Sequence, residues 1–185
     1  IQGVLLRAPI ALPELDLRGA QGPLTSADLR DHWSLIAFGS PATAAGHRGV
    51  ARLIEIANRV ADQPDLRKDL RLLLISADDA PGVARDFERL TPSLRVLSTQ
   101  ASALSELQDA LGAGSALQPE DDTEPPPLFL IGPQQLLVAL FPGAQPAASV
   151  ADDLIALAAR RQDRPNEPST SEADQREPSL SHDNS

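Results

Sequence analysis

Two stretches of the chain hold the side chains with chemical potential. The first is Leu35 to Ala57, LIAFGSPATAAGHRGVARLIEIA, where an apolar run reaches Phe38-Gly39, crosses a loop of small residues, and becomes helical past Thr43 and His47. The second is EPPP, Glu124 to Pro127, and the stretch PEDDTE that ends in Glu124 carries four carboxylates. The imidazole of His47 and the carboxylate of Glu124 are each of a donor type that Cu(II) or Zn(II) accepts. Two ligands fall short of the three or four usual at protein zinc sites. The plainer reading of His47 is a solvent-facing side chain beside a helix start.

Sulfur chemistry is excluded outright. With no cysteine and no methionine, the chain has no disulfide, no thiol nucleophile, no sulfur donor for Cu(I) and no iron–sulfur cluster. Reductases and peroxidases that work through a thiolate fall with the cysteines. His32 beside Trp33 reads as a polar residue at a turn into a strand, and His182 as a solvated residue near the C-terminus. Serines and aspartates abound, but no G-x-S-x-G supports a Ser-His-Asp arrangement. GAGS at Gly112 follows a helix instead of opening one, so it reads as a helix stop and not a phosphate loop. The prolines Pro125, Pro126 and Pro127 fix φ and lack backbone donors. They form either a docking ridge for another protein or a stiff loop leading into a strand.

Charge narrows the partners. There are 16 basic against 26 acidic residues, a net charge of -10, whereas nucleic-acid binding needs a clustered Lys/Arg face. An acidic chain favours cationic partners. At 185 residues one domain is expected, and with four Phe, one Trp and no Tyr its core must come from Leu, Ala, Val and Ile. No apolar run reaches the roughly 18 residues a membrane span requires. The chain opens on Ile1 rather than Met, and the expectation is that a signal or anchor segment preceded it.

The elements that position these residues follow from periodicity. LPELDLRG reads as a short strand with Leu15 and Leu17 alternating, and LTSADLRDHW as a helical turn capped by Thr25 or Ser26. SLIAFG is an unbroken apolar run, the mark of a strand covered on both faces. Val50, Leu53, Ile54, Ala57 and Val60 or Ala61 then recur at helical spacing. LRLLLISAD is a second buried strand, PGVARDFERL a helix begun by Pro81, and LRVLS a third strand. TQASALSELQDALGAG reads as a helix with Thr99 as cap and Gly112 as stop. PLFLIG and QLLVALF flank GPQ as a hairpin. SVADDLIALAARR closes the domain as a helix, with Asp152 and Asp153 near its start and Arg160 and Arg161 at its end, as the macrodipole prefers. The order β-α-β-α-β-α-β-β-α implies parallel strands joined by right-handed crossovers, with antiparallel strands added late. This is a thioredoxin-like α/β domain over residues 1–161. Residues 162–185, rich in Pro, Ser and acidic groups, read as a disordered tail.

The chain resembles the Sco/SenC family of copper-binding, thioredoxin-fold factors that assist assembly of cytochrome c oxidase. The resemblance runs from about Gly3 to Arg161 and rests on GVLLRAPIALPELDLRGAQGPLTSADLRDHWSLIAFG, LLISAD, ARDFERLTPSLRVLS and PLFLIGPQQLLVALF, in that order. It implies a Sco-type central mixed sheet flanked by helices. It also implies a copper site of two cysteines, four positions apart, after the F-G, and a histidine ahead of the strand ending here in LIGP. Those positions fall near Thr43 and His47, or equally Ala42 and Gly46, and near Glu124. All three ligands are missing. The resemblance therefore implies a non-enzymatic accessory or interaction protein of cytochrome c oxidase assembly, with no cofactor and with copper transfer and thiol redox activity lost. The implied partner is an oxidase subunit or another assembly factor, met on the periplasmic side of the bacterial inner membrane. The alternative is a metal-handling protein that keeps a weak Cu(II) or Zn(II) site at His47 and Glu124.

Overall fold

The computed structural model describes residues 1–112 and 124–162, with only the backbone given for 161 and 162. The expected tail beyond Gln162, with His182, and the acidic residues 119–123 lie outside the described residues.

Eight strands form one mixed sheet in the order β1-β8-β7-β4-β5-β6-β2-β3. The central strands are β4 (Trp33–Phe38), β5 (Leu70–Ser76) and β6 (Leu94–Ser98), parallel to one another. Helix α1 (Ala44–Arg59) and the short α2 (Pro64–Asp69) connect β4 to β5, and α3 (Pro81–Glu88) connects β5 to β6. After α4 (Ala101–Ala110), the hairpin of β7 (Leu128–Ile131) and β8 (Leu136–Phe141) adds antiparallel strands beside β4. Helix α5 (Ala147–Gln162) closes the described fold. No helix among the described residues is long and apolar enough to cross a membrane.

The apolar runs make a core on both faces because successive side chains of a strand point to opposite sides. Leu35, Ala37, Leu72, Leu74, Leu128 and Leu130 face α1, α3 and α5, packing with Leu53, Ile56 and Leu154. Ile36, Leu73, Ile75, Phe129 and Ile131 face the other way, where Leu107 and Leu111 around the end of α4 join Leu15, Leu17, Leu24 and Leu29 from the N-terminal third.

Several elements differ from the sequence expectation. Strand β1 (Val4–Ala11) was not anticipated, and it pairs antiparallel with β8 at one sheet edge. The expected strand at Leu15 and Leu17 is half of a hairpin, β2 (Asp16–Gly19) with β3 (Gly22–Thr25), docked on the far side of β6. Thr25 does cap a helical segment, but Ser26–Leu29 is a single 3-10 turn, with the Thr25 amide donating to Asp28 Oδ2 at 2.8 Å. Gln100, not Thr99, sits at the cap of α4; the Thr99 hydroxyl donates instead to the Asp16 carbonyl. Gly112, at φ 74°, takes the left-handed backbone that ends this helix. Helix α5 starts at Ala147, so Asp152 and Asp153 lie beyond its first turn. Asp153 is buried, and its work is to accept hydrogen bonds from the Gln2 and Gly3 amides.

Candidate functional site

Helix α1 begins where the sequence says it should, at the end of a small-residue loop. Thr43 is its N-cap, and the hydroxyl accepts from the Gly46 amide at 3.1 Å while donating to the Ser40 carbonyl at 2.9 Å. The Ser40 hydroxyl in turn accepts from the Ala42 amide at 3.1 Å. The loop is thus closed upon itself by short local hydrogen bonds, as small polar residues at helix starts do.

His47 is exposed on the first turns of α1. Its Nε2 lies 3.1 Å from the Pro41 carbonyl. A carbonyl only accepts, so this nitrogen carries the proton and donates. The ring edge meets Phe87 of α3 with centroids 4.9 Å apart and planes at 86°, the edge-to-face arrangement that aromatic quadrupoles favour. Gly46 is buried, and the Ser40 carbonyl oxygen fills the place a β-carbon there would take.

The second stretch is packed, not free-standing. Pro126 is buried, with its ring against Gly49 of α1, while Glu124, Pro125 and Pro127 are half-buried. The Pro125 carbonyl presses on Gly143 so closely that only glycine fits, and the Glu124 side chain lies along the same residue. Beneath them is Arg52 of α1, 5% exposed. Its Nη1 donates to the Pro126 carbonyl at 2.9 Å, and its Nη2 to the carbonyls of Pro142 and Gln145, each at 2.8 Å. Burial pulls the guanidinium from its ordinary value down to about 10, with the Glu124 carboxylate opposing the shift. At neutral pH the group stays charged.

The Gln145 amide continues the network, donating from Nε2 to Asp153 Oδ2 at 2.9 Å and to the Ser149 hydroxyl at 3.0 Å. Sequence reasoning missed Arg52, Gln145 and Asp153. A signal existed for the first: Arg52 lies three residues after Gly49 and four before Ile56, on the helix face that turns inward.

On the other side of the loop a cavity of about 340 Å³ opens at the C-terminal ends of β5 and β6. Pro41, Arg18, Arg85, Asp78 and Asp79 are among its lining residues, so charges of both signs meet there.

These residues do not fit the copper site that the resemblance implies. Cu(I) asks for thiolate or thioether donors. At the implied positions Ala42 and Gly46 offer no side-chain donor, and the Thr43 hydroxyl is committed to capping. The His47 imidazole, its Nε2 proton held by a carbonyl, offers nitrogen in place of sulfur, and Glu124 faces the Arg52 cation. Among the described residues no group of three or more His, Asp or Glu stands together as a metal site.

No protein-family signature matches the sequence, and no curated protein does. Solved structures do match. The apo Sco1 protein of Thermus thermophilus is 25% identical, with a TM-score of 0.62 over 84% of this chain and 95% of that one. BsSco, described as a member of the Sco family of cytochrome c oxidase assembly proteins with a disulfide switch, is 15% identical, with a TM-score of 0.65 over 84% and 96%. A SCO1/SenC family lipoprotein from Bacillus anthracis is 17% identical, with a TM-score of 0.62 over 83% and 99%. The likeness thus extends over nearly the whole of each of these chains.

Proposed function

We propose that this chain, a thioredoxin-fold protein of the Sco family, serves cytochrome c oxidase assembly by contact and not by carrying copper or exchanging thiols. On this reading it is a non-catalytic accessory protein, and its partner is an oxidase subunit or another assembly factor. It works at the membrane surface, on the periplasmic side of the inner membrane; the lipoprotein relative supports this placement. The context comes from the Sco structures, one of which is described by its role in oxidase assembly.

One observation supports the loss of copper transfer: the chain has no sulfur, and of the implied ligand positions Ala42 and Gly46 carry no donor, the Thr43 hydroxyl caps α1 and the Glu124 carboxylate faces the Arg52 guanidinium. A weak site at His47 and Glu124 is the less favoured reading, because the Glu124 carboxylate faces a buried guanidinium.

The test has two arms. In the first, purified protein is titrated with Cu(I), Cu(II) and Zn(II) against a competing chelator; stoichiometric binding lost in both His47→Ala and Glu124→Ala would reverse the proposal. In the second, the tagged full-length protein is isolated in gentle detergent from oxidase-containing membranes. Co-purification of an oxidase subunit or assembly factor is expected. Recovery of the monomer alone counts against the contact role.

A further inference from the structure

The cavity at the ends of β5 and β6 joins an apolar floor to a charged opening. Pro41, Ala84, Val96 and Leu97 line it and are buried, whereas Arg18, Arg85, Asp78 and Asp79 line it and are exposed. An apolar floor with a small number of placed polar groups is the usual make-up of a small-molecule site, and about 340 Å³ lies at the small end of that class. The two acids come from one connection, which follows β5. The two bases come from elsewhere: Arg18 from β2, which pairs with β6 opposite Ser98, and Arg85 from α3, which packs on β6. The acidic connection is held in place. The buried Ser76 hydroxyl accepts from the Asp78 amide at 3.1 Å and donates to the Asp78 carbonyl at 3.3 Å.

Among the described residues no ion pair joins these arginines to these aspartates, although the chain forms such pairs elsewhere, Glu55 with Arg59 and Asp86 with Arg89. Guanidinium and carboxylate groups thus share one cavity without matching one another. A simple anion drawn in by the arginines would be repelled by the aspartates, and a simple cation would meet the reverse. A ligand with a charge of each sign meets both sets favourably. Its contacts would be charge-assisted hydrogen bonds, which are the strong ones, and a carboxylate suits the planar fork of a guanidinium.

We propose that this cavity binds a short zwitterionic ligand of dipeptide size, with its carboxylate on Arg18 and Arg85 and its ammonium on Asp78 and Asp79. The floor of Pro41, Ala84, Val96 and Leu97 takes the apolar body between the two charges. This site goes beyond the contact reading above and does not depend on it.

The experiment titrates the purified full chain with L-alanyl-L-alanine, followed by calorimetry and by amide chemical shifts. Saturable one-to-one binding with a Kd of about 1 mM or tighter is expected, with the shifts centred on Asp79, Arg85, Leu97 and Ser98. Acetylating the amine of the probe, or amidating its carboxylate, should each weaken binding about tenfold or more. Paired variants then assign the two ends. Arg18→Gln/Arg85→Gln should lose about tenfold for the dipeptide and nothing further for the amidated probe, and Asp78→Asn/Asp79→Asn about tenfold for the dipeptide and nothing further for the acetylated one. The four side chains are exposed, so the variants should melt as wild type does; if a double variant melts early, its single variants carry the comparison. No binding up to about 20 mM dipeptide, equal binding of the blocked probes, or equal binding of inorganic phosphate would each overturn the proposal.

Discussion

The carbonyl oxygen of Ser40 occupies the space that a β-carbon on Gly46 would need. Gly46 sits in the first turn of α1, and Ser40 is held by its bonds to Thr43, so neither side can yield cheaply. We expect Gly46→Ala to destabilise the protein by about 2–3 kcal/mol, the usual cost of overpacking a filled site, read by urea denaturation. The same geometry separates two ways of restoring cysteines. The pair Thr43→Cys/His47→Cys, at exposed positions, should fold and hold Cu(I) against a chelator. The pair Ala42→Cys/Gly46→Cys should fold poorly. Equal stability of the two pairs would contradict the packing described.

Thr43 offers a smaller and cleaner test. Its hydroxyl satisfies the Gly46 amide, so Thr43→Ala should cost about 1 kcal/mol and Thr43→Ser almost nothing. If the alanine variant proves as stable as wild type, the cap contributes nothing to the loop's closure.

Asp153 anchors the start of the chain. Its carboxylate accepts from the amides of Gln2 and Gly3 and from the Gln145 side chain. Asparagine has only one acceptor oxygen and brings two donors to a place already crowded with them. Asp153→Asn should therefore destabilise by about 2 kcal/mol and loosen the β1 edge first. Faster proteolysis or exchange at residues 2–6, ahead of any change in β5, is the expected reading.

Arg52 predicts a pH profile. Its folded value, lowered to about 10 by burial, lies below its unfolded one, so the unfolded chain binds more protons only above that point, and stability rises with pH there. Below it the group is charged in both states. The stability difference between wild type and Arg52→Gln, about 3 kcal/mol for a buried charged donor of several bonds, should stay flat from about pH 6 to about pH 8.5. A slope across that range would mean that some other group controls the difference.

Much of the fold was legible in the sequence because its strongest signals are local. Strands covered on both faces need continuous apolar runs, and SLIAFG and LRLLLIS provide them; α1 and α5 follow from amphipathic spacing, and the β7–β8 hairpin from its turn residues. The absence of sulfur is also readable from the sequence alone, and with it the exclusion of thiolate chemistry. Strand β1 was not legible: VLLRAPIA is largely exposed and contains Pro9 and Arg7, and it becomes a strand because the edge of β8 pairs with it. Helical spacing puts Arg52 on the inward face of α1, but the tertiary structure alone decided what it meets there: only the convergence of carbonyls from two distant connections makes a buried guanidinium the stable arrangement at that position. The same holds for Gly46, whose need to be glycine comes from a backbone oxygen six residues earlier that no helical pattern reports.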